Sequence, residues 1–160
     1  MSEQINKLFE ECIGHADDQD LEVLNGLLQG IRDKQKKRNS SYIGRVLHME
    51  RAATKDSYEI TIPVTPLVKN SLGIVHGGIT ATVIDSAMGS LAMEVLPEGQ
   101  GAVTTQLNIH YIGPGIGDSL TCKAQLVHKG SKTIVLEAQV YRPDGKKVAH
   151  ATGSFFIIGN

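Results

Sequence analysis

The chain predicts an α+β domain in which an antiparallel sheet curls round one long, nearly fully covered helix, with a helical segment in front. Three observations predict it. Apolar residues recur at helical spacing over 5–31 and again over 77–96, and at a period of two over 42–64 and 101–158. The stretch 77–96 carries Thr, Ser, Ala and Gly rather than Lys or Glu between its apolar positions, as suits a helix covered on nearly every side. The 160 residues, 41% hydrophobic, suffice for one core and are too few for two independent domains of ordinary size.

Residues 1–40 read as a helical extension. Ile5, Leu8, Phe9 and Cys12 share one helical stripe, and Leu21, Leu24, Leu27, Leu28 and Ile31 another. The basic run Arg32–Asn39 places cations where they complement a helix C-terminus, so it is read as a capped, solvated end rather than a nucleic-acid patch. The body, 41–160, opens with two expected strands. In the first, Tyr42, Val46 and His48 alternate against Ile43, Leu47 and Met49; in the second, Tyr58, Ile60, Ile62 and Val64 share a face, with a turn near Lys55-Asp56 between them. The long helix follows, with Ile79, Val83, Ile84, Ala87, Met88, Leu91, Ala92 and Val95 at three-and-four spacing. Four more strands are expected at about 101–112, 118–129, 132–142 and 146–158, the last three as an antiparallel meander. Their turns are marked by Pro114–Asp118, Lys129–Lys132 and Arg142–Lys146, which supply Pro, Gly and Asp where hairpins need them.

Composition excludes several functions. Sixteen Lys and Arg against seventeen Asp and Glu give a formal charge of -1, which supplies no global field for nucleic acid or membrane. Cys12 and Cys122 stand 110 positions apart in no Cys/His ligand spacing, so neither a disulfide scaffold nor a metal site is expected. The N-terminus has no long apolar stretch, and Asp85 and Glu94 interrupt the most apolar one; a soluble cytoplasmic protein is expected.

Asp85 is the most informative residue. It lies inside the covered helix about two turns from its start, too deep to serve as a cap. Burying a carboxylate costs several kcal/mol unless it is paired or its charge is used, and the use it suggests is that of a general base. The second feature is the loop Asn70-Ser71-Leu72-Gly73-Ile74-Val75-His76-Gly77-Gly78, which runs straight into the same helix. Two glycines at a helix N-terminus expose backbone N–H groups to an oxyanion and let a carbonyl approach closely. His76 and Asp85 are nine residues apart, about 13 Å along a helix. If both serve one reaction centre, the simplest arrangement is a two-fold dimer in which Asp85 of one subunit faces the His76-Gly77 end of the other. In the strand 101–112, alternation sets Thr104, Gln106, Asn108 and His110 on one face and Val103, Thr105, Leu107, Ile109 and Tyr111 on the other.

From Ile43 to Ile158 the sequence resembles the hotdog-fold acyl-CoA thioesterases of the phenylacetate-pathway, PaaI-like type, close to the human thioesterase-superfamily-member-two group. The block N-x-x-G-x-x-H-G-G followed by Asp nine residues beyond the His carries the resemblance. It implies a hotdog fold in which Asp85 activates or orients the attacking water and Thr104, at a Ser/Thr position of the family, helps hold it. Gly77 is then the backbone donor to the thioester oxygen, His76 its side-chain partner and Asn70 the support of the loop, with Asp85 and His76 contributed by opposite subunits. Tyr111 and the turn Lys129-Gly130-Ser131-Lys132-Thr133 match positions near coenzyme A, while a lysine that some relatives carry near the loop start falls on Pro66. The implied function is hydrolysis of an acyl-CoA thioester by a homodimer or a tetramer built from dimers. No cofactor beyond the coenzyme A of the substrate, no metal, no nucleic acid and no membrane is expected. Covalent attack by Asp85 uses the same residues and stays open, as does the acyl group. The competing reading is a non-catalytic acyl-CoA sensor.

Overall fold

A computed structural model describes residues 1–37, 40–54 and 57–159. Two compact units emerge, the first comprising Met1–His48 with Thr65–Leu67, the second Met49–Val64 with Val68 onward.

The first unit is helical. Helix α1 spans Ser2–His15 and α2 spans Asp18–Lys36. Asp17 and Asp20 form a capping box at the start of α2, each side chain accepting from the other's backbone N–H at 2.9 and 3.3 Å. Residues Arg38 and Asn39, the end of the basic run, lie outside the described residues. The expected strand over 42–49 is not formed: Tyr42–Val46 make a short helix, α3, and the first strand comes later. Tyr42/Val46 and Ile43/Leu47 are four apart, so the same residues satisfy both periods, and Ser41 decides the matter by accepting from Gly44 N–H as an N-cap. Gly30 of α2 lets the two helices meet, since a Cβ there would lie 2.8 Å from Arg45 O and Val46 Cα.

The second unit holds β1 (Glu50–Ala53), β2 (Ser57–Pro63), α4 (Gly77–Glu94), β3 (Gly101–Tyr111), β4 (Ser119–Lys129), β5 (Thr133–Tyr141) and β6 (Lys147–Ile158). The turn expected at Lys55-Asp56 lies outside the described residues. All six strands form one antiparallel sheet in the order β1-β2-β4-β5-β6-β3, so β4, β5 and β6 make the expected meander. The chain crosses from α4 to the far edge, and β3 enters there beside β6.

The sheet curls round α4, and the core is what lies between them. Val83, Ile84, Ala87, Met88 and Leu91 of the helix are buried, together with Ile60, Ile62, Leu120, Ile134, Leu136, Val140 and Phe155 of the strands. Each large side chain contributes roughly 2 kcal/mol through its burial. Ala124, Ala138 and Ala151 stand opposite one another across β4, β5 and β6, a row of small residues that leaves room for the helix. At Gly153 the helix comes close to the sheet, because a Cβ would lie 2.9 Å from Met88 Sδ. The β5–β6 turn is closed by Arg142 and Asp144, whose ion pair holds the Asp144 carboxyl down at about 2.

Burial pushes the Cys122 thiol up to about 12, whereas Cys12 is exposed. Native protein should therefore be alkylated at Cys12 only, with Cys122 reacting after unfolding, as peptide mass mapping would read. The sign of the linkage is fixed. The unfolded chain releases the thiol proton near 9.0 and the folded one retains it to about 12, so this group's contribution to stability falls as pH rises through that window. Equal native labelling of both thiols would contradict the packing.

Candidate active site

Three groups of sequence-predicted residues are placed by the second unit. The first is the N-terminus of α4. His76 is its N-cap: the backbone N–H donates to Val68 O at 2.9 Å, and Nδ1 accepts from Gly78 N–H at 2.9 Å. An Nδ1 that accepts carries no proton, so the neutral ring holds its proton on Nε2 and points a donor into the solvent-exposed space beyond. Gly77 is the first helical residue, and its N–H is one of the four with no partner inside the helix. The helix dipole adds positive potential at the same point.

Asn70 knits the loop that leads there. Its Oδ1 accepts from Leu72 N–H at 2.9 Å and Ile74 N–H at 3.4 Å, its own N–H donates to Ile74 O at 2.8 Å, and its carbonyl accepts from Gly73 N–H at 2.9 Å. Gly73 adopts φ +74°, which glycine takes without strain. Four hydrogen bonds within five residues thus hold the loop at Asn70.

The second group is Asp85 with Thr104. The Thr104 hydroxyl donates to Asp85 Oδ1 at 2.8 Å, joining α4 to β3. Asp85 is half-buried and keeps its second oxygen for another partner. Regular alternation had set Thr104 in one polar row with Gln106, Asn108 and His110, and this is corrected by a β-bulge. Thr104 pairs with Phe155 and Gln106 with the adjacent Ser154, leaving Thr105 as the extra residue, its hydroxyl on Ser154 O at 3.0 Å. The bulge turns Thr104 to the face of buried Phe155, toward the helix, while Gln106, Asn108 and His110 stay on the outer face.

The third group is the β4–β5 hairpin, where Gly130 N–H donates to Thr133 O at 2.8 Å. Ser131, Lys132 and Thr133 are exposed. Lys129, expected near coenzyme A, has its ammonium on Val95 O at the C-cap of α4, where a cation also complements the dipole. Tyr111 lies elsewhere, with its hydroxyl on Gly77 O at 2.9 Å. Neither this bond nor the bulge has a signal in the sequence, because both depend on the register of β3 against β6.

The description "Thioesterase superfamily" matches residues 72–149, which include the α4 N-terminus, Asp85 and Thr104. A solved structure from Bacillus halodurans, determined with CoA, is 40% identical, with a TM-score of 0.90 over 96% of this chain and 99% of that one. The chain belongs to the thioesterase superfamily, and its fold is the hotdog fold. Among relatives of this superfamily, the acyl-coenzyme A thioesterase PaaI of Escherichia coli is 32% identical over 101 residues, 62% of this chain and 70% of that protein. A Saccharolobus solfataricus protein is 35% identical over 86 residues, 54% of this chain. The chain spans about 61% of the length of that archaeal relative. The PaaI-like resemblance drawn from the N-x-x-G-x-x-H-G-G block is therefore supported by sequence relatives and by structure alike.

Proposed function

We propose that the chain hydrolyses acyl-CoA thioesters. The observation that carries this reading is the Asp85 carboxylate, set inside the central helix and held by the Thr104 hydroxyl at 2.8 Å, in a fold whose helix N-terminus offers Gly77 N–H and His76 Nε2–H. The thioester carbonyl oxygen sits on those two donors, which stabilise the charge that develops on it. Asp85 takes a proton from the water that attacks the carbonyl carbon, the C–S bond breaks, and the thiolate of coenzyme A leaves and is protonated. Direct attack by Asp85 would place the same groups around a covalent intermediate. Water, the substrate and side chains suffice for either route.

Along one helix His76 and Asp85 are separated by about 13 Å, so one site draws Asp85 and Thr104 from one subunit and His76 and Gly77 from a second. The sheet has the means to recruit that subunit: β3, eleven residues long, is an edge strand with one side unpaired among the described residues. A homodimer is the minimum this reading needs, and a tetramer would pair two such dimers. The hairpin Gly130-Ser131-Lys132-Thr133, exposed from Ser131 to Thr133 and with Lys132 as its cation, and the region of Tyr111 are proposed to meet coenzyme A, lysine pairing with phosphate. Lys129 is proposed to serve there only if it releases Val95 O. We place the protein in the cytoplasm on the same reading; among the described residues no helix is long and apolar enough to cross a membrane.

Thiol release from a panel of aromatic, short-chain and long-chain acyl-CoA substrates tests the reading, and the best substrate names the acyl class. Thr104→Val keeps the side-chain volume and removes the hydroxyl. It is expected to lower kcat about tenfold with KM nearly unchanged, while Thr104→Ser keeps most activity. Equal activity of Thr104→Val and wild type would contradict the role given to the 2.8 Å hydrogen bond.

A further inference from the structure

The peptide unit between Gly77 and Gly78 is gripped at both polar atoms. Its carbonyl oxygen accepts from the Tyr111 hydroxyl at 2.9 Å, and its N–H donates to His76 Nδ1 at 2.9 Å. The Tyr111 ring also lies alongside, since a Cβ built on Gly77 would touch its carbons at 3.5 Å. Two successive glycines have the widest backbone freedom of any pair, so this unit is the part of the helix start that most needs external restraint. Tyr111 and Thr104 can serve the same helix only because of the bulge. Thr104 and Tyr111 are seven residues apart and would face opposite ways in a regular strand. The extra residue at Thr105 brings both to the helix side, Thr104 opposite buried Phe155 and Tyr111 opposite buried Ala149.

We propose that Tyr111 is a positioning residue: by fixing the Gly77–Gly78 peptide it sets the aim of Gly77 N–H and, through Gly78 N–H on Nδ1, keeps the His76 proton on Nε2. One strand then holds both parts of the machinery that its own helix carries, Asp85 through Thr104 and the oxyanion donors through Tyr111. This role rests on the hydrolytic reading above and differs from a direct contact between the Tyr111 hydroxyl and coenzyme A, because that hydroxyl is committed to Gly77 O.

Tyr111→Phe keeps the ring and removes the hydroxyl. We expect kcat for thiol release to fall about tenfold, the effect of one hydrogen bond, with KM for acyl-CoA and inhibition by free coenzyme A within about twofold of wild type. In parallel, ¹⁵N NMR of the imidazole should find only the Nε2–H tautomer of His76 in the wild type and a mixture of both tautomers in the variant. A weakened KM and weakened coenzyme A inhibition at unchanged kcat would overturn the proposal in favour of a substrate contact. An unchanged tautomer in the variant would overturn it as well. The NMR arm needs no turnover. A tautomer that shifts in a protein releasing no thiol would keep the positioning role and reject the hydrolytic reading.

Discussion

Replacing Asp85 by Asn is expected to lower kcat for acyl-CoA hydrolysis by two or more decades, about 2.7 kcal/mol or more of transition-state stabilisation, while acyl-CoA binding persists. Asn is nearly isosteric and can still accept from the Thr104 hydroxyl, so the fold of α4 against β3 should survive the change. What disappears is the carboxylate proposed to take the proton of the attacking water. Asp85→Ala should be as inactive and should also leave the Thr104 hydroxyl without its partner. Matched folded concentrations, checked by thermal unfolding, separate lost chemistry from lost protein. If both variants retain wild-type turnover, Asp85 is not the base. If the wild type itself binds acyl-CoA without releasing thiol, the fold serves as a sensor instead.

Much of this was legible in the sequence because the informative segments are long and one-sided. The buried helix is expected over 77–96 and observed over Gly77–Glu94, and the four strands that follow are each observed within about a residue of their expected ends. Two places resisted. Over 42–49 the pairs Tyr42/Val46 and Ile43/Leu47 fit a helix as well as a strand, and a capping serine outweighs an alternation of so few residues. In β3 a single extra residue reverses the facing of everything before it, and a bulge is a property of the pair of strands rather than of either sequence. Asp85 and the His76-Gly77-Gly78 turn stand out by residue type alone, since a carboxylate in an apolar helix and paired glycines at the start of one are both costly without a use. The partnership of Asp85 with Thr104, nineteen residues away, follows from the resemblance to PaaI-like thioesterases and becomes geometry only in the folded sheet. That Lys129 caps the helix it follows is likewise visible only there.

The second large effect concerns the assembly. If each site takes Asp85 from one subunit and His76 from another, two inactive variants should rescue each other. Asp85→Asn and His76→Ala are each expected to be nearly inactive as pure proteins. In a heterodimer of the two, one site carries both substitutions and the other carries neither. Random exchange of equal amounts makes half the dimers mixed, and each of these has one intact site of two, so activity should rise to about a quarter of wild type. A site built within one subunit gives no intact combination in any pairing. The rescued activity should also fall on dilution as the dimers dissociate, because a lone subunit offers only half of the machinery.

Subunit complementation is accordingly the most direct test of the composite thioesterase site. Purified Asp85→Asn and His76→Ala proteins would be mixed, exchanged through mild denaturant, and assayed for thiol release from the best acyl-CoA, with native mass spectrometry counting the heterodimers. Recovery to about a quarter of wild-type activity, in proportion to the heterodimers formed, is the predicted result. Heterodimers in the expected amount with no activity above that of the two parents would contradict it.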